Sequence, residues 1–397
     1  MNISLLPRES ARGAFAVPVQ NDRRRLRVGL YVISVTRESY LIAKTFALAG
    51  IDVVVRIEMP PEHKRWAGAG AVEAEYCSWL LSEPEIYVVD AKDAPVPVDV
   101  LLFEVGPLEA LFPEELAAWI KAAGGAVAWN INAQEQSLAR DVRAELGTLV
   151  RFRAALWRAS RMIVLAGTPY GRLSALLRPA RRQGYFVHPI FLRDPKLRAE
   201  MFGVEAGADE ERVVRLIFSG NPEPPARRAV LERIKGEIAS SADTRVLDHF
   251  SDVPANLDAS EKRVLWMMRA DPRDPNWQKR SDVIPPVQWP GILRRCDFAL
   301  CPPGFGKKTH RVVEALLQGV IPITDCPEEY AIGLKDGETC IAVRRDRWTD
   351  CVSAALIMDR SEIKRMRRAV QQLAREHLHH KGVTADWLHK LGVPALV

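Results

Sequence analysis

From Arg27 onward the chain alternates short β-branched runs with amphipathic stretches, a rhythm that points to βα units around parallel sheets. RVGLYVIS (27–34) reads as a strand, and RESYLIAKTFALAG (37–50) as a helix closed by Gly50 as C-cap. IDVVVRI (51–57), EIYVVD (85–90), VDVLLFEV (98–105) and AVAWNIN (126–132) continue the strands. PEELAAWIKAAGG (113–125) reads as a helix with proline in its first turn and glycines at its end. MIVLAG (162–167), a helix near 170–183 and the strand YFVHPIF (185–191) complete a first set, enough for one doubly wound α/β domain.

The polar segment LRDPKLRAEMFGVEAGADEE (192–211) reads as a linker, after which the alternation restarts. RVVRLIFSGN (212–221), RVLDHF (245–250), RVLWMM (263–268), DFALCPP (297–303), VIPIT (320–324) and TCIAV (339–343) supply the second strands. Helices are expected at 225–240, after Lys307, at 347–358 and at 361–380, with TADWLHKLGV (384–393) as an amphipathic tail. A length of 397 residues also favours two domains over one core. The expected organisation is a polar, partly disordered leader (1–25), a Rossmann-like domain (26–200), a second one (201–380) and a tail helix (381–397). The halves share rhythm and not sequence, so no internal repeat is evident.

A hydrophobic content of 48% with 27% charged residues is ordinary globular composition. The net charge of +6 permits acidic partners, but the arginines are spread, which argues against a nucleic-acid stripe. Six cysteines without a CxxC pair fit buried thiols in a reducing cytosol better than disulfides or zinc. The chain lacks an apolar run long enough to span a membrane and a secretory signal, so a cytoplasmic protein is expected. The Arg23–Arg25 cluster suits peripheral contact with an anionic membrane, although a solvated flank is the simpler reading.

Open α/β sheets bind ligands beyond the carboxyl ends of their strands, and the second half has its richest loops there. CPPGFGKKT (301–309) approaches a phosphate-binding loop and departs from it. The pattern needs a glycine five residues before Gly306, where Cys301 stands, and a Ser or Thr where Lys308 follows Lys307. What remains is a strand, a turn containing Gly304 and Gly306, and a helix start carrying cations, which is an anion site in outline. A helix from Lys308 to Gln318 would put Lys308 and Thr309 in its first turn. Arg311 and Glu314 would share a face, suited to a phosphate and to two ribose hydroxyls. The alternative for that pair is a surface ion pair worth a few tenths of a kcal/mol. Asn221 in SGNPEPP suits a phosphate or sugar contact, or a routine turn. Arg269 lies in the long basic loop MMRADPRDPNWQKRS (267–281), which faces either a diphosphate or solvent.

FALCPPGFGKKTHRVVEALLQGVIPIT (298–324) resembles the donor-nucleotide segment of exostosin-like glycosyltransferases. The matches are Phe298, Cys301, Pro302, Gly304, Thr309, Arg311, Glu314, Ala315, Leu316, Gly319, Ile321 and Pro322. RLIFSGNPEPPARRAVLERI (215–234) and KDGETCIAV (335–343) are similar to two further segments of such enzymes, and the resemblance ends before residue 212. It implies a GT-B fold, two Rossmann-like domains facing each other across a cleft, with the sugar nucleotide in the C-terminal one. Carried over by position, Glu314 would bind the ribose, and Arg311 with Thr309 the diphosphate. The co-substrate implied is a nucleotide sugar, most simply a UDP-sugar, with no cofactor and no metal. The acceptor would be a glycan or lipid-linked sugar of polysaccharide or glycoconjugate synthesis.

Two departures stand out. Pro303 replaces a frequent arginine, and Gly306 stands where retaining enzymes carry a second glutamate, which leaves the stereochemistry open. THRVVEALLQGVIPI (309–323) is also similar to a segment of α-1,3-fucosyltransferases, which would change the donor to GDP-fucose.

An inverting transfer needs a base near the acceptor hydroxyl. Candidates at strand ends are Glu38, Glu104 and His188, each with a structural alternative: a first-turn dipole partner, an edge residue and a core imidazole. Asn130 and Asn132 suit acceptor hydroxyls or a turn. His377, His379 and His380 stand near a helix end, where cations are favoured without a metal. Rival readings are a sugar-nucleotide epimerase or hydrolase, and a catalytically silent nucleotide- or glycan-binding module.

Overall fold

Strands covered on both faces must be apolar nearly throughout, and the β-branched runs meet that demand. The computed structural model describes residues 26–32, 37–57, 80–90, 93–104, 113–123, 126–131, 161–166, 182–184, 209–220, 225–240, 243–253, 262–268, 288–304, 309–330, 332–391 and 393. These form a seven-stranded and a six-stranded sheet, every pairing described is parallel, and the chain divides into two compact units.

The first sheet comprises β1 (Arg27–Val32), β2 (Asp52–Ile57), β3 (Ile86–Asp90), β4 (Val100–Glu104), β5 (Ala126–Ile131), β6 (Arg161–Ala166) and β7 (Arg182–Gly184). Their order is β3-β2-β1-β4-β5-β6-β7, so the winding direction reverses between β1 and β4. Helix α1 (Arg37–Leu48) links β1 to β2, and Gly50 follows it at φ +79°, the left-handed C-cap. Helix α2 (Pro113–Ala122) follows β4.

Tyr31 and Arg56 are register partners on β1 and β2. Glu115, in the first turn of α2, accepts from Arg56 Nη2 at 2.6 Å and from the Tyr31 hydroxyl at 3.2 Å. A buried guanidinium needs such a carboxylate, and the pairing fixes the start of α2 over the carboxyl edge of the sheet. The seventh strand differs from expectation. Arg182–Gly184 pairs with Val164–Ala166 of β6, where the sequence suggests a helix end, and the expected strand at 185–191 lies outside the described residues. A three-residue polar strand has no apolar period to reveal it.

The second sheet comprises β8 (Val214–Gly220), β9 (Thr244–Leu247), β10 (Lys262–Met268), β11 (Cys296–Leu300), β12 (Ile321–Thr324) and β13 (Ile341–Ala342). Its order, β13-β12-β11-β8-β10-β9, slots β10 between β8 and β9 and puts the reversal between β8 and β11. The helices are α3 (Pro225–Ser240), α4 (Trp289–Leu293), α5 (His310–Leu317), α6 (Trp348–Ile357), α7 (Arg360–His377) and α8 (His380–Leu391). The tail helix starts at His380, one residue ahead of the expected 381.

All five residues of β11 are buried, including Asp297 near its amino end. Asp297 Oδ2 accepts from Arg360 Nη1 of α7 at 2.6 Å and lies 3.6 Å from Arg215 Nη1, while Oδ1 lies 3.7 Å from Arg367 Nη1. Arg212 bonds the Cys296 carbonyl at 2.5 Å and the Gln318 carbonyl at 3.1 Å. Burial raises the Asp297 pKa, and the guanidiniums of Arg360, Arg215 and Arg367 oppose the rise.

Candidate functional site

At the reversal between β8 and β11, the backbone leaving β11 meets α3 and α5. The Cys301 N–H bonds the Ile323 carbonyl at 2.9 Å, carrying the β11–β12 ladder one residue past the strand. Pro302 and Pro303 then turn the chain, and their carbonyls accept from Arg227 of α3, at 3.3 Å to Nη2 and 2.9 Å to Nε respectively. A Cβ at Gly304 would lie 2.8 Å from Arg227 Nη2, so only glycine lets this guanidinium sit against the turn.

Helix α5 begins at His310, two residues later than the sequence suggests, because Thr309 is extended (φ −127°, ψ 142°) and acts as N-cap. The Tyr330 hydroxyl accepts the Thr309 N–H at 2.8 Å and donates to the Thr309 carbonyl at 3.0 Å. Arg311 Nη1 donates to Glu314 Oε2 at 3.0 Å, and Trp289 Nε1 donates to the same oxygen at 2.8 Å. The Arg311 guanidinium stacks 4.6 Å from the Trp289 ring, and His310 Nε2 lies 4.0 Å from Glu314 Oε1. Arg311 and Glu314 do share a face. Their pair is not a surface pair, however, since Glu314 is 0% exposed. Removing one member would strand a buried charge.

Burial, and then repulsion from Arg311, lower the Arg227 pKa below the ordinary guanidinium value. Arg227 and Arg311 therefore stand near enough to repel each other. Cys296, Cys301, Cys326 and Cys340 are buried and take part in no disulfide. Burial pushes the Cys296 and Cys301 thiols far up, and those of Cys326 and Cys340 up to about 12, which keeps all four protonated and unreactive. Among the described residues no group of His, Cys, Asp and Glu has the arrangement to hold a metal ion, and no helix is long and apolar enough to cross a membrane.

Of the residues expected at the site, Gly304, Thr309, Arg311 and Glu314 come together. Lys308, Gly306, Asn221, Arg269, His188 and Asn132 lie outside the described residues, as do the 1–25 leader and most of the basic loop. Glu104 ends β4, Glu38 lies in the first turn of α1 and Asn130 lies on β5. The first two flank the reversal of the first sheet, at its carboxyl edge.

The residues that sequence reasoning missed are Arg227, Trp289 and Tyr330. Arg227 reads as one of two adjacent helix arginines and is brought to a turn 76 residues away. The run VVEALL around Glu314 does carry a signal, because an acid flanked by apolar residues on both sides of a helix turn is marked for burial.

No protein-family model matches the chain, and no curated protein matches it. Solved structures do. The N-terminal domain of trehalose-6-phosphate phosphatase from Candida albicans aligns over 94% of this chain and 98% of its own, with a TM-score of 0.54 and 10% identity. HepE from Anabaena, solved with UDP, aligns over 92% and 100%, with a TM-score of 0.49 and 12% identity. A glycosyltransferase from Rickettsia africae aligns over 93% and 99%, with a TM-score of 0.49 and 10% identity. With two parallel sheets whose winding reverses about β1 and β8 and helices between their strands, the chain is an α/β protein of the GT-B fold, built of two Rossmann-like domains.

Proposed function

We propose that this chain is a glycosyltransferase that takes a sugar from a nucleoside-diphosphate sugar, most simply a UDP-sugar, to a glycan or lipid-linked acceptor. The observation that carries the reading is that Arg227, bonded to the Pro302 and Pro303 carbonyls where the chain leaves β11, lies near enough to Arg311 of α5 to be repelled by it, at the reversal of the second sheet. That crevice is where open α/β sheets take ligands, and two guanidiniums beside a helix start suit a diphosphate. Glu314, braced by Trp289 and Arg311, takes the ribose hydroxyls in this scheme. Lys308, Gly306, Asn221 and Arg269 complete the donor site.

The acceptor oxygen attacks the anomeric carbon, the bond to the diphosphate breaks, and the negative charge that grows on the leaving oxygen is met by fixed guanidiniums. These charges do the work a metal does elsewhere, so metal independence belongs to the proposal. The proton of the acceptor passes to a base drawn from Glu104, Glu38 or His188, with Asn130 and Asn132 holding acceptor hydroxyls.

The test is a thermal-shift panel of UDP, GDP, ADP, CMP and dTDP on wild type and on Glu314→Gln, repeated with a chelator. A nucleotide at a hundred times its dissociation constant stabilises by about 2.7 kcal/mol. Stabilisation by one nucleoside diphosphate, weakened in the variant and indifferent to the chelator, is expected. If none of the five stabilises wild type, the glycosyltransferase reading is lost.

A further inference from the structure

Buried guanidiniums are tolerated where carboxylates neutralise them, because an uncompensated charge is costly away from water. The amino end of the second sheet is out of balance in this respect. Arg212 and Arg367 are 3% and 1% exposed, and the Arg215 side chain is 10% exposed. Among the described residues Asp297 is the one buried carboxylate beside them. The acids on neighbouring segments do not make up the difference. Asp209 pairs with Arg368 at the surface, and Glu210 is exposed and meets Arg367 through its peptide carbonyl at 2.6 Å. At the start of α7, Asp359 is exposed and Glu362 pairs with Arg365.

The excess of positive charge is sharpest at one oxygen. Asp297 Oδ2 accepts from Arg360 Nη1 at 2.6 Å, and Arg215 Nη1 stands 3.6 Å from the same atom, beyond hydrogen-bond reach. That Arg215 nitrogen is buried and has no hydrogen-bond partner among the described residues, a state that calls for an explanation. Burial lowers the Arg215 pKa, Asp297 opposes the drop, and the nearby Arg360 adds to it. Arg360 opens this pair of cations to solvent, since 36% of its side chain is exposed.

We propose that Arg215 and Arg360 form an anion site at the amino edge of the second sheet, opposite the crevice beyond β11, and that it takes a small oxyanion such as inorganic phosphate. The guanidinium fork matches two oxygens of such an ion, which a halide does not offer. The bound ion supplies the counter-charge that Asp297 alone does not, and it links β8 to the first residue of α7. The second domain is then steadied by phosphate at a place remote from the proposed donor site, and the inference does not rest on the donor-site reading.

The experiment measures phosphate binding to the full chain by equilibrium dialysis, and melting temperature against phosphate at an ionic strength held constant with sodium chloride. Wild type should bind phosphate, and its melting temperature should climb with the logarithm of the phosphate concentration. Arg360→Met should weaken that binding about tenfold or more and flatten the climb. Arg227→Met, which alters the cations on the opposite edge, should keep the phosphate that Arg360→Met loses. Arg360→Lys keeps a charge beside Asp297 and loses the fork, so it should recover only part of the affinity.

A wild type that binds no phosphate overturns the inference, as does an Arg360→Met protein that binds it unchanged. Binding lost in Arg227→Met and kept in Arg360→Met would assign the ion to the crevice beyond β11 and overturn it as well. A melting temperature that rises in proportion to phosphate, equally in every variant, is the general effect of a salting-out ion and has the same consequence. If Arg360→Met does not fold, Arg360→Lys decides alone: a weakened affinity upholds the site, and an unchanged one removes it.

Discussion

Strand β11 connects two charge clusters of opposite design. At its amino end a single carboxylate, Asp297, is enclosed by Arg360, Arg215 and Arg367 and is entirely buried. At its carboxyl exit Glu314 pairs with Arg311, while the neighbouring guanidinium of Arg227 is bonded to the peptide carbonyls of Pro302 and Pro303. A cation tied to a carboxylate is largely neutralised, whereas a hydrogen bond to a neutral carbonyl leaves the net charge unchanged. The amino end spends its arginines on fastening α7 to the sheet. The exit bonds Arg227 to the peptide carbonyls of a turn and Arg311 to a buried carboxylate. The same residue type thus fastens a helix at one end of the strand and braces a turn at the other.

The largest expected effect breaks the closed end. Asp297→Asn strands several buried guanidiniums and should cost about 3–5 kcal/mol in a urea melt. Whatever fraction still folds should bind UDP as wild type does. A cost below about 1 kcal/mol would mean the arginines are better solvated than their burial implies, and the contrast would collapse.

Arg227→Met tests the open end. It keeps the length of the side chain and removes the charge, so the affinity for UDP should fall about ten- to hundredfold. Affinity for uridine, which lacks the phosphates, should hold, as should the melting temperature. Equal losses for UDP and uridine would show that the arginine merely shapes the turn.

The smallest effect is a slope with pH. His380 opens α8, next after the helix that carries Arg360 and Arg367. Burial, then His379 and Lys381, lower its pKa from 6.5 to about 4. Between those values the unfolded chain holds more protons on this imidazole than the folded one does. Stability should therefore rise with pH through that window and be lost as pH falls toward 4. His380→Gln should flatten the slope measured by urea melts between those limits; an unchanged slope would assign the acid sensitivity to other groups.

Much of the fold is legible in the sequence because a parallel sheet demands apolar strands at a regular spacing, and α3 at Pro225–Ser240 falls where the pattern puts it. Strand order is another matter. Nothing local in KRVLWMM says that β10 lies between β8 and β9, since order is settled by which edges remain to be covered. Helix α4 escapes notice because five residues, one of them proline, carry no helical period.

At the site, spacing correctly predicts that Arg311 and Glu314 meet. It cannot tell an exposed pair from a buried one, because that depends on Trp289 arriving from another element. Arg227 and Tyr330 are invisible for the same reason: each acts on backbone groups distant in sequence, and no motif records an arginine aimed at a proline carbonyl.

The buried thiols have a practical consequence. Cys296 lies on β11, Cys301 at its exit, Cys326 just beyond β12 and Cys340 just before β13, all within the second domain. Thiol reagents attack the thiolate, and burial keeps these sulfurs both protonated and out of reach. Their alkylation rates therefore time how often this sheet opens, strand by strand, without any engineered probe. A nucleotide that clamps the turn after β11 should slow the clock at Cys301 before it slows the one at Cys340.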